Sequence, residues 1–259
     1  MKSFSIRRLA LLLRRDASAG YKSVLIAMAA VGGFVILVSV LSAFGGELGP
    51  IYDCIYIPLL FLGGYIVTSL SFKELHTNGQ GMTYLSLPGS SFEKFLSKLL
   101  VSSVGYAAGS LLFHAAVAAA AEAINRLVFG YGHPFFNPFS RTILLALAVY
   151  LVTQGIFVVG SAYFRKMAFV KTSLYLVLFG IVVVVLVVVT GWLIFRDVAV
   201  ERHLDLEPFF QRLRESGEMQ AVLEPLGRKF CLPVKIAFWA LLAPVCWLIG
   251  YLRLRETEA

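Results

Sequence analysis

The apolar part of the chain contains few side chains that could do chemistry. His114 and Gln154 each lie in the middle of a long apolar run, and Glu122 lies at the edge of one. Ionisable and strongly polar groups are costly in hydrocarbon, so they mark functional or packing positions. A membrane-embedded metalloprotease needs clustered histidines and carboxylates, and no second ligand is suitably spaced from His114. We therefore expect no catalytic residue and no metal site in this chain.

For His114 we favour a helix-packing or pore-facing role, because one histidine alone does not make a metal site. Gln154 is expected to hydrogen-bond another helix, as polar side chains in hydrocarbon usually do. Glu122 lies four residues before Arg126, which is the spacing of an ion pair along a helix. An enzyme built into the membrane stays as an alternative that these residues favour less.

The composition defines the class of protein that must position these residues. Hydrophobic residues make up 59% of the 259 residues, charged residues only 15%, and the mean hydropathy is +0.81. A helix that crosses a membrane needs about 20 apolar residues, and six runs qualify. We predict an all-α, polytopic membrane protein with one domain over residues 1–259. The predicted spans cover residues 22–44, 51–71, 99–121, 142–164, 170–195 and 234–251.

The distribution of charge predicts the orientation. With six spans both termini lie on one side, and the segments on that side carry most of the 23 lysines and arginines but a minority of the 15 acidic residues. Cytoplasmic loops are enriched in lysine and arginine, so both termini should be cytoplasmic. The net charge of +8 then reflects orientation and attraction to anionic lipid, and no nucleic-acid partner is expected.

Residues 4–15 precede the first span and have the pattern of an amphipathic helix. Its polar face is formed by Arg7, Arg8, Arg14 and Arg15, opposite an apolar face. Such a helix lies in the membrane interface with its arginines among the lipid headgroups. A second interpretation, that this positive charge only orients the first span, is compatible with the first.

Residues 72–98 form a polar segment between the second and third spans. A proline at position 88 disfavours helix before it, and Ser90 followed by Glu93 is the sequence of a capping box that starts a helix. A solvated connector is one interpretation. However, a connector needs only a few residues, and this one carries apolar side chains that favour a partner surface. These apolar residues are Met82, Tyr84, Leu85 and Leu87.

Two further features are weaker. Gly105 and Gly109 form a GxxxG pair, which is typical of helices that pack closely in membranes. Residues 196–233 form the longest segment on the outer side, and we predict two short amphipathic helices there. A small soluble domain is the alternative, although so few residues would bury little core.

The run from Leu85 to Ser91, followed by Glu93, Lys94, Phe95 and Lys98, resembles the Leu-Pro-x-Ser signature that follows the second span in exporter-type ABC transporter permeases with a type V exporter-like fold. Here Gly89 and two serines follow the proline, which departs mildly from that pattern. The layout is similar over the whole chain: an N-terminal interfacial helix, six spans, a coupling segment between spans two and three, and short outer helices between spans five and six.

The resemblance implies a permease of the bacterial cytoplasmic membrane that pairs with a separate nucleotide-binding ATPase and with a second permease, identical or different. ATP and Mg²⁺ would bind in the ATPase, since this chain has no Gly-x-x-x-x-Gly-Lys-Ser/Thr phosphate loop. The permease would move an unidentified substrate by alternating access. The uniformly apolar run at residues 181–190 of the fifth span suits a lipid-like or amphipathic substrate better than an ion. A non-transporting membrane anchor or sensor subunit of an ABC complex is the alternative. The residues implied to contact the ATPase are Glu74, Asn78, Met82, Tyr84, Leu85, Leu87 and Pro88.

Overall fold

The computed structural model describes residues 4–18, 21–46, 49, 51–76, 89–202 and 235–258. These residues form helices and connecting turns, and no strand occurs among them. The α-helices are α1 (Ile6–Ser18), α2 (Tyr21–Phe44), α3 (Ile51–Leu70), α4 (Ser91–Leu100), α5 (Tyr106–Phe129), α6 (Arg141–Tyr163), α7 (Ala168–Arg202) and α8 (Leu242–Glu258). Three short helical segments of other types are a 3₁₀ turn at Lys73–His76 and π-helical segments at Val101–Gly105 and Ala237–Leu241.

Six helices in the described part of the chain are long and apolar enough to cross a membrane, which makes the protein an integral membrane protein. The first, second and fourth agree with the predicted spans to within a few residues. The six membrane-crossing helices cover Ser23–Phe44, Ile51–Leu75, Ser91–Phe129, Arg141–Tyr163, Ala168–Thr190 and Ala237–Thr257.

The third span differs most from its prediction, because helix runs over Ser91–Phe129 instead of residues 99–121. Hydropathy placed the start of the span at the first apolar residues. The backbone becomes helical earlier because the capping box at Ser90 begins α4, whose polar side chains find partners on α1. The segment at residues 72–98, expected to be a loop up to the span, therefore ends in two helical turns, which begin where the capping box at Ser90 predicted a helix.

The fifth and sixth helices also differ from the predicted spans at their ends. Helix α7 extends to Arg202, beyond the predicted end at residue 195, and the last helix continues to Glu258. The first residues of the predicted outer amphipathic segment at 196–233 are therefore helical. The remainder of that segment lies outside the described residues, and so do the two short helices predicted within it.

The chain divides into two compact units, Met1–Phe169 with Ala243–Ala259, and Val170–Leu242. In the first unit α3 packs on α6 and α2 packs on α5. The core between α3, α5 and α6 is a cluster of aromatic and aliphatic side chains: Tyr56, Leu60, Ala107, Ile143, Ala146 and Tyr150. A second cluster, near α1, joins α4 to the last helix through Phe72, Phe95, Leu99, Val158 and Leu254.

Close approach between α3 and α6 depends on Gly64. A Cβ added at Gly64 would lie 2.6 Å from Cζ of the buried Tyr150 ring, which is closer than carbon atoms can approach. The Tyr150 hydroxyl donates to the Ser102 carbonyl at 2.7 Å, within the π-helical segment. This bond satisfies a backbone acceptor at a point where the α-helical hydrogen-bond pattern is interrupted.

In the second unit the described residues are mostly those of α7. Its side chains are predominantly aliphatic, and many of them are exposed, including Val177, Ile181, Val184 and Leu186. Exposed aliphatic side chains over the length of a span are suited to contact with lipid.

Candidate functional site

The capping box at the start of α4 forms with both of its hydrogen bonds. Ser90 Oγ accepts from the Glu93 backbone N–H at 3.2 Å, and Glu93 Oε2 accepts from the Ser90 N–H at 2.9 Å. These bonds satisfy two donors that the first helical turn would otherwise leave without partners. The polar sequence before the third span therefore fixes the start of this helix.

Glu93 also connects α4 to the N-terminal helix. Its Oε1 accepts from the Ser5 N–H at 2.7 Å and from Arg8 Nη2 at 3.1 Å, and its side chain is fully buried. A buried carboxylate is costly unless charged and hydrogen-bonding partners surround it. Glu93 has both kinds of partner, so α1 and α4 each depend on the other for this arrangement.

A second set of polar contacts joins the other end of α1 to α4. Ser97 Oγ donates to Asp16 Oδ2 at 2.6 Å, and Lys98 Nζ lies 3.1 Å from Asp16 Oδ1. The side chains of Asp16 and Lys98 are 5% and 9% exposed. Water therefore screens this ion pair little.

Glu74 extends these contacts to the end of α3. It lies on the 3₁₀ turn that follows α3, and its Oε2 is 3.4 Å from both Arg15 Nη2 and Lys98 Nζ. We call the whole set the α1 network, which consists of Arg8, Arg15, Asp16, Glu74, Glu93, Ser97 and Lys98. It joins α1 to the chain on both sides of residues 77–88.

Apolar contacts accompany the α1 network. Leu12 is buried in the middle of α1, and the Phe4 and Phe92 rings meet edge to face with centroids 6.2 Å apart. The Tyr251 ring of the last helix contacts both Phe92 and Phe95, with centroids 5.9 Å apart in each case. The region around α4 is therefore packed from the N-terminal and C-terminal helices.

The residues implied to contact an ATPase divide into two groups. Glu74 is placed in the α1 network. The other six lie outside the described residues: Asn78, Met82, Tyr84, Leu85, Leu87 and Pro88. The network therefore holds both ends of the segment to which these residues belong.

The four arginines of α1 do not share one environment. Arg8 and Arg15 turn toward carboxylates on neighbouring elements, whereas Arg7 and Arg14 are exposed. The reason is that acidic residues on α4 and on the 3₁₀ turn lie on one side of α1. Arg8 and Arg15 therefore carry ion pairs within the protein, and the predicted interfacial role of the four arginines stays a prediction.

His114 is buried in a contact between helices. Its Nε2 lies 3.0 Å from the Tyr52 carbonyl oxygen of α3, and its ring lies against Tyr56 and Phe136 at centroid distances of 5.1 and 4.9 Å. The side chain is 3% exposed. This environment is that of a helix-packing residue, which is one of the two roles expected from the sequence.

Gln154 is fully buried between α6 and α3, where its Oε1 accepts from Thr68 Oγ1 at 3.4 Å. The neighbouring Thr153 Oγ1 lies 2.8 Å from the Tyr65 hydroxyl. The two contacts link the same pair of helices, as expected for polar side chains in hydrocarbon. His114 and Gln154 thus bind different parts of α3.

Gly105 and Gly109 lie on an exposed face of the third span. A Cβ at Gly109 would meet no atom within 4 Å, and one at Gly105 would meet only the Leu100 carbonyl of the preceding turn. Within the described part of the chain this GxxxG pair therefore does not pack against another helix. The glycines that pack against side chains of neighbouring helices include Gly63 and Gly64, which no GxxxG spacing marks.

Sequence reasoning paired Glu122 only with Arg126, but the structure places it in a larger polar cluster at the end of the bundle opposite α1. The Arg126 Nε to Glu122 Oε1 distance is 2.9 Å. Glu122 Oε2 accepts from the His133 N–H at 3.0 Å and from the Tyr52 hydroxyl at 3.4 Å. We call the buried set the Glu122 cluster, which consists of Ser39, Tyr52, Glu122, Asn125 and His133.

The rest of the Glu122 cluster is joined by hydrogen bonds between α2, α3 and α5. Ser39 Oγ lies 2.8 Å from the Tyr52 hydroxyl and accepts from Asn125 Nδ2 at 2.9 Å. The sequence feature that could have indicated this cluster is Gly132, which directly precedes His133. A Cβ at this position would overlap the Glu122 carboxylate, so only glycine lets the loop approach the helix.

No group of three or more histidine, cysteine, aspartate and glutamate side chains in the described ranges is arranged to hold a metal ion. The fold and its polar networks define the class of protein as a helical integral membrane protein. No protein-family model matches the chain, and comparison with curated proteins and with solved structures also gives no match.

Proposed function

We propose that this chain is the transmembrane subunit of an ATP-binding cassette exporter in the bacterial cytoplasmic membrane, with both termini cytoplasmic. A separate ATPase supplies the energy, and a second permease completes the pathway. The substrate is not identified, and the uniformly apolar run at residues 181–190 of α7 suits a lipid-like or amphipathic one. The proposal rests on the sequence resemblance around residues 85–98, on the six membrane helices and on the α1 network.

The observation that carries the proposal is that one N-terminal helix binds both flanks of residues 77–88. Before this segment, Glu74 pairs with Arg15 and Lys98. After it, Glu93 binds Arg8. A segment held at both ends by buried or half-buried charge is suited to receive a partner without separating from the membrane helices.

The α1 network also offers a route by which force on that segment reaches the membrane. Helix α4 continues through the π-helical segment into α5, so a displacement of α4 is passed to a span. Separating Lys98 from Asp16 would leave the buried charge of Lys98 to Glu74. It would leave that of Asp16 to Ser97 and Arg15. Weakening a buried ion pair in this way costs up to about 3–5 kcal/mol. We therefore expect α1, α4 and the end of α3 to move as one body when the ATPase changes conformation.

The alternative of a membrane-embedded enzyme receives less support from the geometry. Catalysis needs groups that meet around one substrate position. His114 binds the α3 backbone, Gln154 binds Thr68, and Glu122 binds Arg126. Each polar residue is thus occupied by a contact between or along helices.

The first test is recovery of partner proteins. We would purify the tagged full-length chain from its native membrane in mild detergent and identify co-purified proteins by mass spectrometry. We expect a soluble protein with a phosphate-loop sequence, and we expect it to be lost when residues 82–85 are replaced by glycine and serine. Recovery of the chain alone, from membranes in which it is folded, would contradict the proposal.

The second test asks whether the α1 network transmits motion. In the purified complex, Lys98→Met should lower ATP turnover severalfold while the ATPase still co-purifies. Arg255→Gln is the control, because it removes an exposed cation from the tail of α8. Equal ATP turnover in both variants would show that the α1 network does not couple the ATPase to the membrane helices. A complex that hydrolyses ATP but moves no labelled phospholipid or amphiphile across vesicles would favour the anchor or sensor alternative.

A further inference from the structure

Arg126 is held on two sides at the end of α5. Its Nε donates to Glu122 Oε1 at 2.9 Å, and its guanidinium carbon lies 4.4 Å from the centroid of the Phe135 ring. The Glu122 side chain is only 1% exposed, whereas that of Arg126 is 53% exposed. A guanidinium has five N–H donors in a fixed plane, and the Glu122 bond through Nε uses one of them. Arg126 therefore offers oriented donors at the surface.

The negative charge of Glu122 is shared among several donors. Besides Arg126, the carboxylate accepts from the His133 N–H and from the Tyr52 hydroxyl. Glu122 therefore fixes the position of the guanidinium while part of its charge is satisfied by other groups. The exposed edge of Arg126 keeps a positive potential.

The position of Arg126 along its helix places it at the membrane boundary. The membrane-crossing helix Ser91–Phe129 ends at Phe129, and Arg126 lies one turn before that end and five residues after the apolar run at 99–121. The loop that follows is rich in aromatic residues, which is typical of the headgroup level. This boundary belongs to the leaflet at the end of the bundle opposite α1.

Exposed apolar side chains lie on the same side of α5 as the guanidinium. Phe135, whose ring contacts Arg126, is 63% exposed. Ala123 and Ala119, one and two turns toward the middle of the span on the Arg126 face, are also exposed. Arg126 therefore presents a charged group at the boundary and an apolar surface beside it. This combination matches a phospholipid, whose phosphate and acyl chains are adjacent, better than it matches an anion dissolved in water.

We propose that Arg126, oriented by Glu122 and Phe135, binds the phosphate of a phospholipid in this leaflet, while its acyl chains lie along the exposed face of α5 that carries Ala119 and Ala123. Arginine binds phosphate through two parallel N–H···O bonds, and a guanidinium that is already oriented loses little freedom on binding. The site lies far along the third span from the α1 network and does not depend on the transporter proposal.

The test is lipid binding by the purified full-length protein. Phosphatidylglycerol would be titrated into the protein in mild detergent, and bound lipid would be counted by native mass spectrometry. Arg126→Gln should weaken the tightest binding about tenfold, the effect of losing charge-assisted hydrogen bonds. Arg141→Gln is the matched control, since Arg141 is an exposed arginine at the start of the next helix, and it should leave binding unchanged.

Two further variants control for misfolding, which is a concern because Arg126→Gln leaves the buried Glu122 without its cation. The double variant Glu122→Gln/Arg126→Gln removes both charges, and Phe135→Ala keeps the ion pair but removes the ring beneath it. Both should weaken lipid binding in protein whose helical content and thermal midpoint show that it is folded. Undiminished binding in the folded double variant would overturn the proposal.

Two alternatives to a phospholipid at Arg126, a free anion and a second copy of the chain, predict different results in these experiments. If millimolar inorganic phosphate alone produced an Arg126-dependent adduct and displaced the lipid, the site would bind a free anion and the lipid assignment would be wrong. If a second copy of the chain covered this face, Ala123→Asp would abolish a dimer and Arg126→Gln would leave the lipid count unchanged. That result would also overturn the proposal.

Discussion

The guanidinium of Arg8 lies 3.1 Å from the fully buried carboxylate of Glu93. The two residues are 85 positions apart in the chain, and one membrane hairpin, α2 with α3, separates them. Glu93 also caps α4 through the Ser90 N–H, so one carboxylate both starts a helix and binds the N-terminal helix to it. Loss of the Glu93 side chain should weaken both the cap of α4 and the attachment of α1 to α4.

We predict that Glu93→Ala lowers the free energy of unfolding by about 2 kcal/mol, because it removes the cap and the ion pair with Arg8. Glu93→Gln should lower the free energy of unfolding less than Glu93→Ala does, because glutamine also completes a capping box. It carries no charge, so the ion pair with Arg8 is still lost. The measurement is reversible unfolding in detergent, with Glu256→Gln on the exposed C-terminal tail as control. Equal stability of Glu93→Ala and the control would show that the buried carboxylate contributes nothing.

We predict that Gly64→Ala destabilises the protein by about 1–3 kcal/mol, because the new methyl group would overlap the buried Tyr150 ring. Gly33→Ala is the matched control, since a Cβ there meets nothing within 4 Å. In a helix this second change should be neutral or slightly stabilising. Thermal unfolding in detergent measures both. A Gly64→Ala protein as stable as the control would mean that α3 and α6 can separate without cost.

The proposed orientation predicts which residues reagents can reach. In a variant whose native cysteines are serine, Asn137→Cys in the loop after α5 should react with a membrane-impermeant maleimide in intact cells. Arg255→Cys on the tail of α8 should react only after the membrane is permeabilised. The reverse pattern would place both termini outside and would remove the cytoplasmic position that the ATPase contact requires.

The sequence specified the membrane helices well because their signal is local. A run of about 20 apolar residues has few alternatives to a span, since hydrocarbon forces the backbone to satisfy its own hydrogen bonds. The signal for the start of α4 is equally local, because Ser90 and Glu93 are three residues apart and hydrogen-bond to each other. Only the predicted start of the third span was displaced, because the polar side chains at 91–98 lower the local hydropathy although the helix that the capping box begins continues through them into the span.

The tertiary structure decided which polar residues meet. Asp16 and Lys98, or Glu122 and His133, come from elements whose approach no pattern in the sequence encodes. Hydrophobic periodicity specifies which face of a helix is buried, but not which partner covers it. The four arginines of α1 illustrate the difference. Their spacing determined one helix, and the carboxylates of neighbouring elements determined that Arg8 and Arg15 bind the protein while Arg7 and Arg14 remain exposed.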